Sequence, residues 1–598
     1  MPALIEDYAL LGNCRSAALV NRNGSLDWLC LPRFDAPAVF ASLLGNEENG
    51  RWRIAPTDTV EHSERRYLED TLVLETLYVT ATGRARVLDL MPLNDTHSVV
   101  RIVEGLSGEV NFEMDLVLRF DYGRSVPWVE KLDPLTLSAV AGPDRVILSS
   151  TVATHAMDHH TVARFRVGEG TREVFSLRHQ RSHLPVQPGF DADEALKDTI
   201  DQWQAFAGRC PEVGAYSAQV RRSLITLKAM TYAPTGGIVA AVTTSLPERI
   251  GGERNWDYRF CWLRDATMTL LAFMNLGYVD EAQAWREWLM RSVAGNPEQM
   301  QIMYGLAGER DLQEYTLPWL AGYEHSQPVR VGNAAADQRQ LDIYGEVADA
   351  MSQAIKAGLP RHPRSAAIAR LILPYVESIW REPDEGIWEV RGGRQHFVHS
   401  KVMAWVAFDR AASLAETRED SGQSHHYRQI AEQIHREVCE KGLDPSGQYF
   451  VQAYGSKEMD ASLLQIALTG FLPADDPRFL RTLEQIERRL LHEGLVLRYD
   501  SDNCTDGLTA GEGTFLVCTF WLCDVYVLVG RQTEAEALYQ RLLDLTNDVG
   551  LLAEQYDPQS QRMLGNFPQA FSHIGVINTA LNLYRAQCPV RDRASGGE

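Results

Sequence analysis

The chain has 598 residues, of which 45% are hydrophobic and 23% charged, and its formal net charge is -22. This composition is typical of a folded globular protein, and the length indicates more than one domain. The acidic balance argues against nucleic acid or an anionic membrane surface as a partner, because both are bound through clustered Lys and Arg side chains.

The N-terminal residues and the cysteines predict the cellular location. No basic segment followed by an apolar run opens the chain, as a secretory signal would, and no charge-free apolar run is long enough to span a bilayer. The nine cysteines show neither a C-x-x-C pair nor zinc-finger spacing, as is typical of reduced thiols. We therefore predict a cytoplasmic protein and no metal site.

Residues 1 to about 195 carry short β-prone runs separated by turns. Several of these runs alternate apolar and polar residues, which is the pattern of a half-buried strand. Many such runs close together predict an N-terminal antiparallel β-sandwich in residues 1–200, although they do not give its strand order. The runs are residues 16–20, 72–80, 85–90, 110–120, 145–150 and 161–167.

From about residue 200 the hydrophobic period changes to three and four residues, which predicts helices as far as residue 590. No fixed-length repeat accompanies them, so a closed α/α toroid is preferred to an open solenoid. The polar, Gly-rich residues 591–598 predict a disordered tail. The main helical segments are residues 220–230, 266–275, 279–293, 341–357, 366–380, 401–415, 429–440, 458–469, 478–491, 514–529, 533–546 and 573–587.

Residues 252–266 carry six charged residues and four aromatic rings directly before a helical pattern. Arg and Asp hold hydroxyl groups by charge-assisted hydrogen bonds, and aromatic rings supply flat apolar surfaces. This combination favours a sugar-binding pocket, in which Asp257 and Asp265 would bind the substrate. The alternative is a buried Arg–Asp network that ties a loop to the start of a helix.

Two glutamates are candidates for the hydrolysis of an acetal, which needs one protonated and one ionised carboxyl group. Glu346 has Asp342 and Asp349 at one-turn spacing, and like charges favour the protonated form that an acid requires. Glu512 lies between two glycines before an apolar helical pattern, where the helix dipole favours the ionised form of a base. Ordinary roles remain open for both, as a solvent-facing glutamate and as a helix cap.

Six segments together resemble the bacterial members of glycoside hydrolase family 15, which include glucoamylases and a trehalase group, and the resemblance covers nearly the whole chain. It implies a β-sandwich followed by an (α/α)6 barrel. It also implies an inverting, exo-acting α-glucosidase that needs no cofactor. The segments are residues 8–13, 24–35, 254–265, 340–347, 511–522 and 565–573.

The same resemblance implies roles for individual residues. It places Arg264 and Asp265 on the hydroxyls of the terminal glucose and Arg498 beside the same sugar. It makes Glu346 the general acid and Glu512 the general base. Further expected contacts with the sugar come from Trp256, Asp257, Trp262, Tyr344, Trp319, Arg330 and Asn333.

One position departs from the family pattern. Many members carry Trp-Glu-Glu where this chain has Tyr344-Gly345-Glu346, and the first Glu is usually the acid. Because Gly345 cannot donate a proton, either the alignment slips by one residue or the role has moved to Glu346.

The expected partner is a neutral sugar, and the sequence leaves the oligomeric state open. The trehalase-like N-terminal part slightly favours α,α-trehalose, with a glucoamylase-type activity on malto- or isomalto-oligosaccharides as the alternative. The residues of the outer subsite decide between them. A third possibility, kept open by Gly345, is a non-catalytic carbohydrate-binding or regulatory protein.

Overall fold

The computed structural model describes residues 3–360, 362–500, 506–509, 511–584 and 589–594, apart from the side chains of residues 266 and 267. The N-terminal part of these residues is built from antiparallel strands, which confirms the predicted antiparallel sheet domain. The strands are β1 (Tyr8–Gly12), β2 (Ala17–Asn21), β3 (Ser25–Cys30), β4 (Ala38–Phe40), β5 (Arg51–Pro56), β6 (Val60–Tyr67), β7 (Leu74–Thr80), β8 (Gly83–Leu90), β9 (His97–Val117), β10 (Trp128–Asp133), β11 (Thr136–Ala141), β12 (Asp144–Ser150), β13 (His155–Met157), β14 (His160–Gly168) and β15 (Arg172–Arg181).

The long strand β9 joins two halves of this sheet. Its first part pairs with β8 and β15, and its second part pairs with β5 and β14. The strand order along the main path is β1-β2-β3-β5-β9-β15-β12-β11-β10. Aromatic rings from both halves pack together, since Phe165 of β14 lies 5.7 Å from Phe112 of β9 and 5.4 Å from Phe175 of β15, between ring centroids. The sequence runs identify strands within this order but not the order itself.

Helices dominate the rest of the chain, as predicted. Within the described residues, α5 packs against α3 and α7, and α11 packs against α12 and α13. None of these helices is both long and apolar enough to cross a membrane. The helices are α1 (Ala192–Ala207), α2 (Ser217–Ala229), α3 (Arg264–Asn275), α4 (Val279–Ser292), α5 (Asp342–Lys356), α6 (Ser365–Ile379), α7 (Val398–Glu416), α8 (Ser421–Lys441), α9 (Gln465–Leu468), α10 (Pro477–Arg489), α11 (Leu516–Leu528), α12 (Gln532–Leu543), α13 (Ala570–Tyr584) and α14 (Pro589–Ala594).

Short strands lie between the helices and shape the connecting loops. They are Thr231–Tyr232, Gly237–Ile238, Thr244–Pro247, Asn255–Asp257, Cys261–Trp262, Met303–Tyr304, Tyr315–Thr316, Arg330–Val331, Leu491–His492, Leu495–Val496, Thr514–Phe515, Gln555–Asp557 and Arg562–Leu564. Two helical predictions differ from the structure: residues 458–469 contain a short 3-10 helix (Ala461–Leu464) followed by the one-turn helix α9, and α8 begins eight residues before the predicted residue 429. The last predicted helix, 573–587, extends beyond Tyr584 into residues that lie outside those described.

The predicted disordered tail at 591–598 is wrong for residues 591–594, which belong to α14. Arg593 is buried, and its guanidinium donates to Asp349 at 2.8 Å. Arg410 donates to the other oxygen of Asp349 at 2.9 Å and to the Arg593 carbonyl at 3.1 Å. This ionic network ties α14 to α5 and α7, while residues 595–598 lie outside the described part of the chain.

Arg259 connects the sheet domain to the helical domain. Its guanidinium is fully buried and donates to both carboxylate oxygens of Asp257, at 2.8 and 2.6 Å. In the sheet domain it donates to the Tyr122 hydroxyl oxygen at 2.9 Å and to the Ala36 carbonyl at 3.1 Å. Asp257 also accepts from the Gly332 N–H at 3.1 Å. The expectation that Asp257 binds substrate is therefore corrected, because its carboxylate is occupied within the protein.

We expect Asp257→Ala to lower the free energy of unfolding by about 3–5 kcal/mol, because Arg259 stays buried without its counter-ion. Glu109→Ala is the matched control, since it removes an ion pair with Arg166 whose side chains are 60% and 61% exposed; exposed pairs contribute little. Urea unfolding followed by tryptophan fluorescence measures both variants. Equal midpoints for the two would contradict the structural role of Asp257.

Candidate active site

A narrow pocket lies in the helical domain. Its wall combines arginines, glutamates and aromatic rings, the groups that hold a ligand rich in hydroxyls. Among the described residues, those of the pocket included, no group of three or more His, Cys, Asp or Glu side chains is arranged to hold a metal ion. The wall residues are Glu248, Arg254, Trp256, Tyr258, Arg264, Asn333, Ala335, Ile387, Trp388, Glu389, Arg391, Arg498, Leu508 and Phe515.

Two neighbouring aromatic residues each hold one carboxylate at this pocket. The Tyr258 hydroxyl donates to Glu554 Oε1 at 2.8 Å, and Trp262 Nε1 donates to Glu389 Oε1 at 2.7 Å. The two rings pack edge to face with their centroids 5.1 Å apart. A single short segment of the chain therefore fixes the positions of two glutamates that are distant in sequence.

Glu389 is the more open of the two glutamates that line the pocket. Its side chain is 18% exposed, whereas that of Glu248 is 2% exposed. Arg264 lies 3.6 Å from Glu389 and donates to the Ile387 carbonyl at 2.7 Å. The backbone of Glu389 is left-handed, with φ of 59°, a conformation that costs energy in a non-glycine residue and often occurs at functional sites.

Glu554 is buried and held by uncharged donors. Besides the Tyr258 hydroxyl, the backbone N–H of Asn566 donates to its Oε2 at 3.2 Å. Burial raises the pKa of Glu554 to about 7, although the positive charge of Arg498 and the hydrogen bonds act in the opposite direction. A carboxyl group with such a pKa can exchange protons near neutral pH.

Arg498 is buried in the pocket wall and binds two further glutamates. It donates to Glu248 at 2.6 Å, and its Nε and Nη2 donate to the two oxygens of Glu512. Burial raises the pKa of Glu248 to about 8, despite the opposing charge of Arg498. The guanidinium also lies 5.0 Å from the centre of the Phe515 ring.

The structure brings several of the predicted site residues together. Trp256, Arg264, Asn333 and Arg498 all line the pocket. Trp262 and Asp265 lie immediately behind it, since Trp262 binds Glu389 and Asp265 accepts from Arg264 Nε at 3.2 Å.

Three expected sugar contacts lie outside the pocket wall. The Tyr344 hydroxyl donates to the Pro297 carbonyl at 3.0 Å, and its ring packs edge to face against Tyr375 with the centroids 5.8 Å apart. Trp319 is 38% exposed and donates to the Tyr122 carbonyl of the sheet domain at 3.0 Å. Arg330 lies behind Trp256, with its guanidinium 4.4 Å from the ring centre. Their local hydrogen bonds and packing account for these positions.

The two predicted catalytic glutamates, like Glu554, are not part of the pocket wall, although Glu554 is bound by the hydroxyl of a wall tyrosine. The side chain of Glu512 is fully buried, and Arg498 occupies both of its oxygens. Glu346 is buried in the second turn of α5. Asp349 does not raise the proton affinity of a neighbour as predicted, because Arg410 and Arg593 neutralise it and hold its pKa well below the usual range.

Gly345 owes its identity to helix packing. A Cβ at this position would lie 2.1 Å from the Met403 carbonyl oxygen of α7, so no side chain fits there. A Trp-Glu pair is present elsewhere in the chain, at Trp388-Glu389, and both of these residues line the pocket.

Sequence reasoning missed Glu389 and Glu554, although a signal existed for the first. The Trp-Glu pair at 388–389 was available as a motif. Glu554 carries no such motif, and its hydrogen bond to Tyr258, a residue 296 positions away, is what distinguishes it from other acids.

Comparison with known proteins agrees with this geometry. The family model for glycosyl hydrolases family 15 matches residues 214–581, and a model described as trehalase-like, N-terminal matches residues 1–184. A trehalase of Mycobacterium tuberculosis is 38% identical, with 98% of this chain and 90% of the relative covered. A trehalase of Thermoplasma volcanium is 36% identical, with 97% and 94% covered.

Among solved structures, a bacterial glucoamylase complexed with acarbose superposes with a TM-score of 0.73 at 14% identity, covering 98% of this chain and 94% of its own. This likeness concerns the fold and extends through both domains. Together, the family match and the nearly full-length relatives establish that the chain belongs to glycoside hydrolase family 15.

Proposed function

We propose that this chain is an inverting, exo-acting α-glucosidase whose substrate is α,α-trehalose. The observation that carries the proposal is a pair of glutamates: Glu389, which lies in the pocket wall and is held by Trp262, and Glu554, which is held directly behind the wall by the hydroxyl of the wall residue Tyr258. The choice of trehalose is supported by trehalases that are similar over nearly their whole length. We further propose that the helices close into the (α/α)6 barrel and that the strands form a sandwich. A cytoplasmic location stays a prediction.

Glu389 is assigned as the general acid. An acid must reach the glycosidic oxygen, and Glu389 is the glutamate of the pocket wall with the greater exposure. The family pattern also associates the acid with the Glu that follows Trp, here Trp388. Arg264, 3.6 Å away, stabilises the carboxylate that remains after proton transfer.

Glu554 is assigned as the general base. Glu248 and Glu512 are both bound directly by Arg498, so their carboxylate oxygens are already engaged by a cation. Among the described residues Glu554 accepts from a hydroxyl and a backbone N–H, and its pKa near 7 suits a group that takes a proton from water. An inverting enzyme needs room for that water, with the carboxyl groups roughly 6.5–9.5 Å apart.

The outer wall of the pocket favours a short substrate. Trp256 is held between two guanidinium groups, with Arg330 at 4.4 Å and Arg391 at 4.3 Å from the ring centre. Glu314 lies within 3.4 and 3.2 Å of these arginines and joins them. Leu508 also lines the wall. A wall fixed by so many contacts resists the displacement that a longer glucan would need if it ran through this side, which supports a disaccharide.

The catalytic pair is tested by substitution. Glu389→Gln and Glu554→Gln should each lower kcat on trehalose by about 10²–10⁴-fold, because each removes one proton transfer. Glu346→Gln is the control and should retain kcat within a few-fold. Thermal melting checks that every variant is folded. Glu512→Gln is measured in the same way. If Glu346→Gln or Glu512→Gln loses turnover while Glu389→Gln stays active, the catalytic residues are Glu346 and Glu512, as predicted from sequence.

The stereochemical outcome is a separate test. Inversion at the attacked carbon of α,α-trehalose yields one β-glucose, and the leaving glucose keeps its α configuration. Proton NMR in the first minutes, before mutarotation, should therefore show equal amounts of the two anomers. A retaining mechanism would give α-glucose alone and would remove the water-activating role of Glu554.

The outer wall is tested with Arg391→Ala, which frees one face of the Trp256 ring. We expect the preference for trehalose over maltotriose, as a ratio of kcat/KM values, to fall about tenfold, the size of a cation–π contact. Arg394→Ala is the matched control from the same loop, since Arg394 pairs with Glu385 and lies outside the pocket wall. Equal ratios in the two variants would exclude Arg391 from substrate selection. Greater activity of the unmodified chain on maltose or isomaltose than on trehalose would favour the glucoamylase-type alternative.

A further inference from the structure

One face of the N-terminal sheet is polar where a buried sheet would be apolar. In β3, Ser25 and Asp27 alternate with Leu26 and Trp28, so the two pairs lie on opposite faces. Arg53 of β5 is directly opposite Ser25 in the register and shares its face. This segment belongs to the family motif at 24–35, yet it lies outside the catalytic pocket.

Asp27 organises this polar face. Its Oδ2 accepts from the Tyr8 hydroxyl at 2.8 Å and from the Asn21 amide at 2.6 Å. Its Oδ1 accepts from the hydroxyls of Ser25 at 2.6 Å and Ser42 at 2.9 Å. Four donors thus fix one buried carboxylate, and they form a rigid polar floor rather than a solvated surface.

A half-open cavity lies above this floor and shares no wall residue with the catalytic pocket among the described residues. Its wall carries equal numbers of cationic and anionic side chains. The cations in its wall are Arg22, Arg51 and Arg53, and the anions are Asp7, Asp27 and Glu47. An anionic ligand would meet these carboxylates, so the balance favours a neutral ligand.

Two donors in this cavity have no acceptor within the described part of the chain. The Tyr78 side chain is buried, with 3% of the residue exposed, and its hydroxyl has no hydrogen-bond partner there. Arg53 likewise makes no ion pair or hydrogen bond with any described residue. In contrast, Arg51 is paired with Glu47 at 2.8 Å and Asp115 at 2.9 Å. Because a buried donor without an acceptor is costly, the Tyr78 hydroxyl calls for a ligand that supplies an oxygen atom, and the half-buried Arg53 offers a second donor beside it.

We propose that this cavity is a second saccharide site, in which Arg53 and the Tyr78 hydroxyl donate to the hydroxyl oxygens of a neutral sugar over the floor organised by Asp27. Sugar hydroxyls supply acceptors without charge, which matches both the free donors and the balanced wall. The site is separate from hydrolysis and does not depend on the function proposed for the catalytic pocket.

Isothermal titration tests the number of sugars bound. The unmodified chain is titrated with D-glucose, which cannot be hydrolysed, and the Glu554→Gln chain with α,α-trehalose. We expect two sugars per chain in both experiments. Tyr78→Phe removes only the hydroxyl and Arg53→Gln only the charge, and each should reduce the affinity of one of the two sites at least tenfold. Arg84→Gln, an exposed arginine of β8 outside the cavity, is the matched control and should change neither.

The outcomes separate this proposal from the proposed function. One sugar per chain, or a second sugar whose affinity is unchanged in both Tyr78→Phe and Arg53→Gln, overturns it. Binding of inorganic sulfate at the cavity in place of glucose overturns the neutral class of ligand. Hydrolysis of trehalose by Tyr78→Phe and Arg53→Gln should stay within twofold of the unmodified chain. If Glu554→Gln still hydrolyses trehalose, the base assignment fails, while the glucose titration still decides the second site.

Discussion

The catalytic site depends on two hydrogen bonds from one pair of packed rings. Tyr258 holds Glu554 and Trp262 holds Glu389, so the spacing of the two carboxylates follows from the packing of neighbouring aromatic residues in a single segment. A phenol and an indole each combine an apolar body with one polar donor. This is why the segment can be buried firmly and still direct a hydrogen bond at each glutamate.

Buried arginines neutralise most of the acidic side chains that are concentrated around this pocket. Arg498 lies between Glu248 and Glu512, and Arg264 lies beside Glu389. A buried carboxylate without a counter-ion would take up a proton or destabilise the fold. Among the described glutamates of this site, Glu554 is held by uncharged donors, and burial raises its pKa to about 7. The arrangement of charges thus separates structural carboxylates from the pair that we assign to catalysis.

Local patterns predicted the architecture well and the catalytic pair poorly. Alternation revealed strands such as β7 and β12, and helical periodicity revealed α5 and α11, because these patterns reflect burial of one face. The segment at 254–265 indicated a sugar pocket by composition alone. Asp257 was misjudged because its partner Arg259 fills a junction between domains, which no local pattern records. The tail was misjudged because Arg593 is buried against Asp349, a residue 244 positions away.

The pair of catalytic glutamates is the central claim, and a crystal structure of the Glu554→Gln chain with bound α,α-trehalose tests it most directly. We expect the glycosidic oxygen to lie within hydrogen-bonding distance of Glu389, and we expect room for one water molecule between the attacked carbon and residue 554. A trehalose molecule bound beside Glu346, or with its glycosidic oxygen out of reach of Glu389, would contradict it.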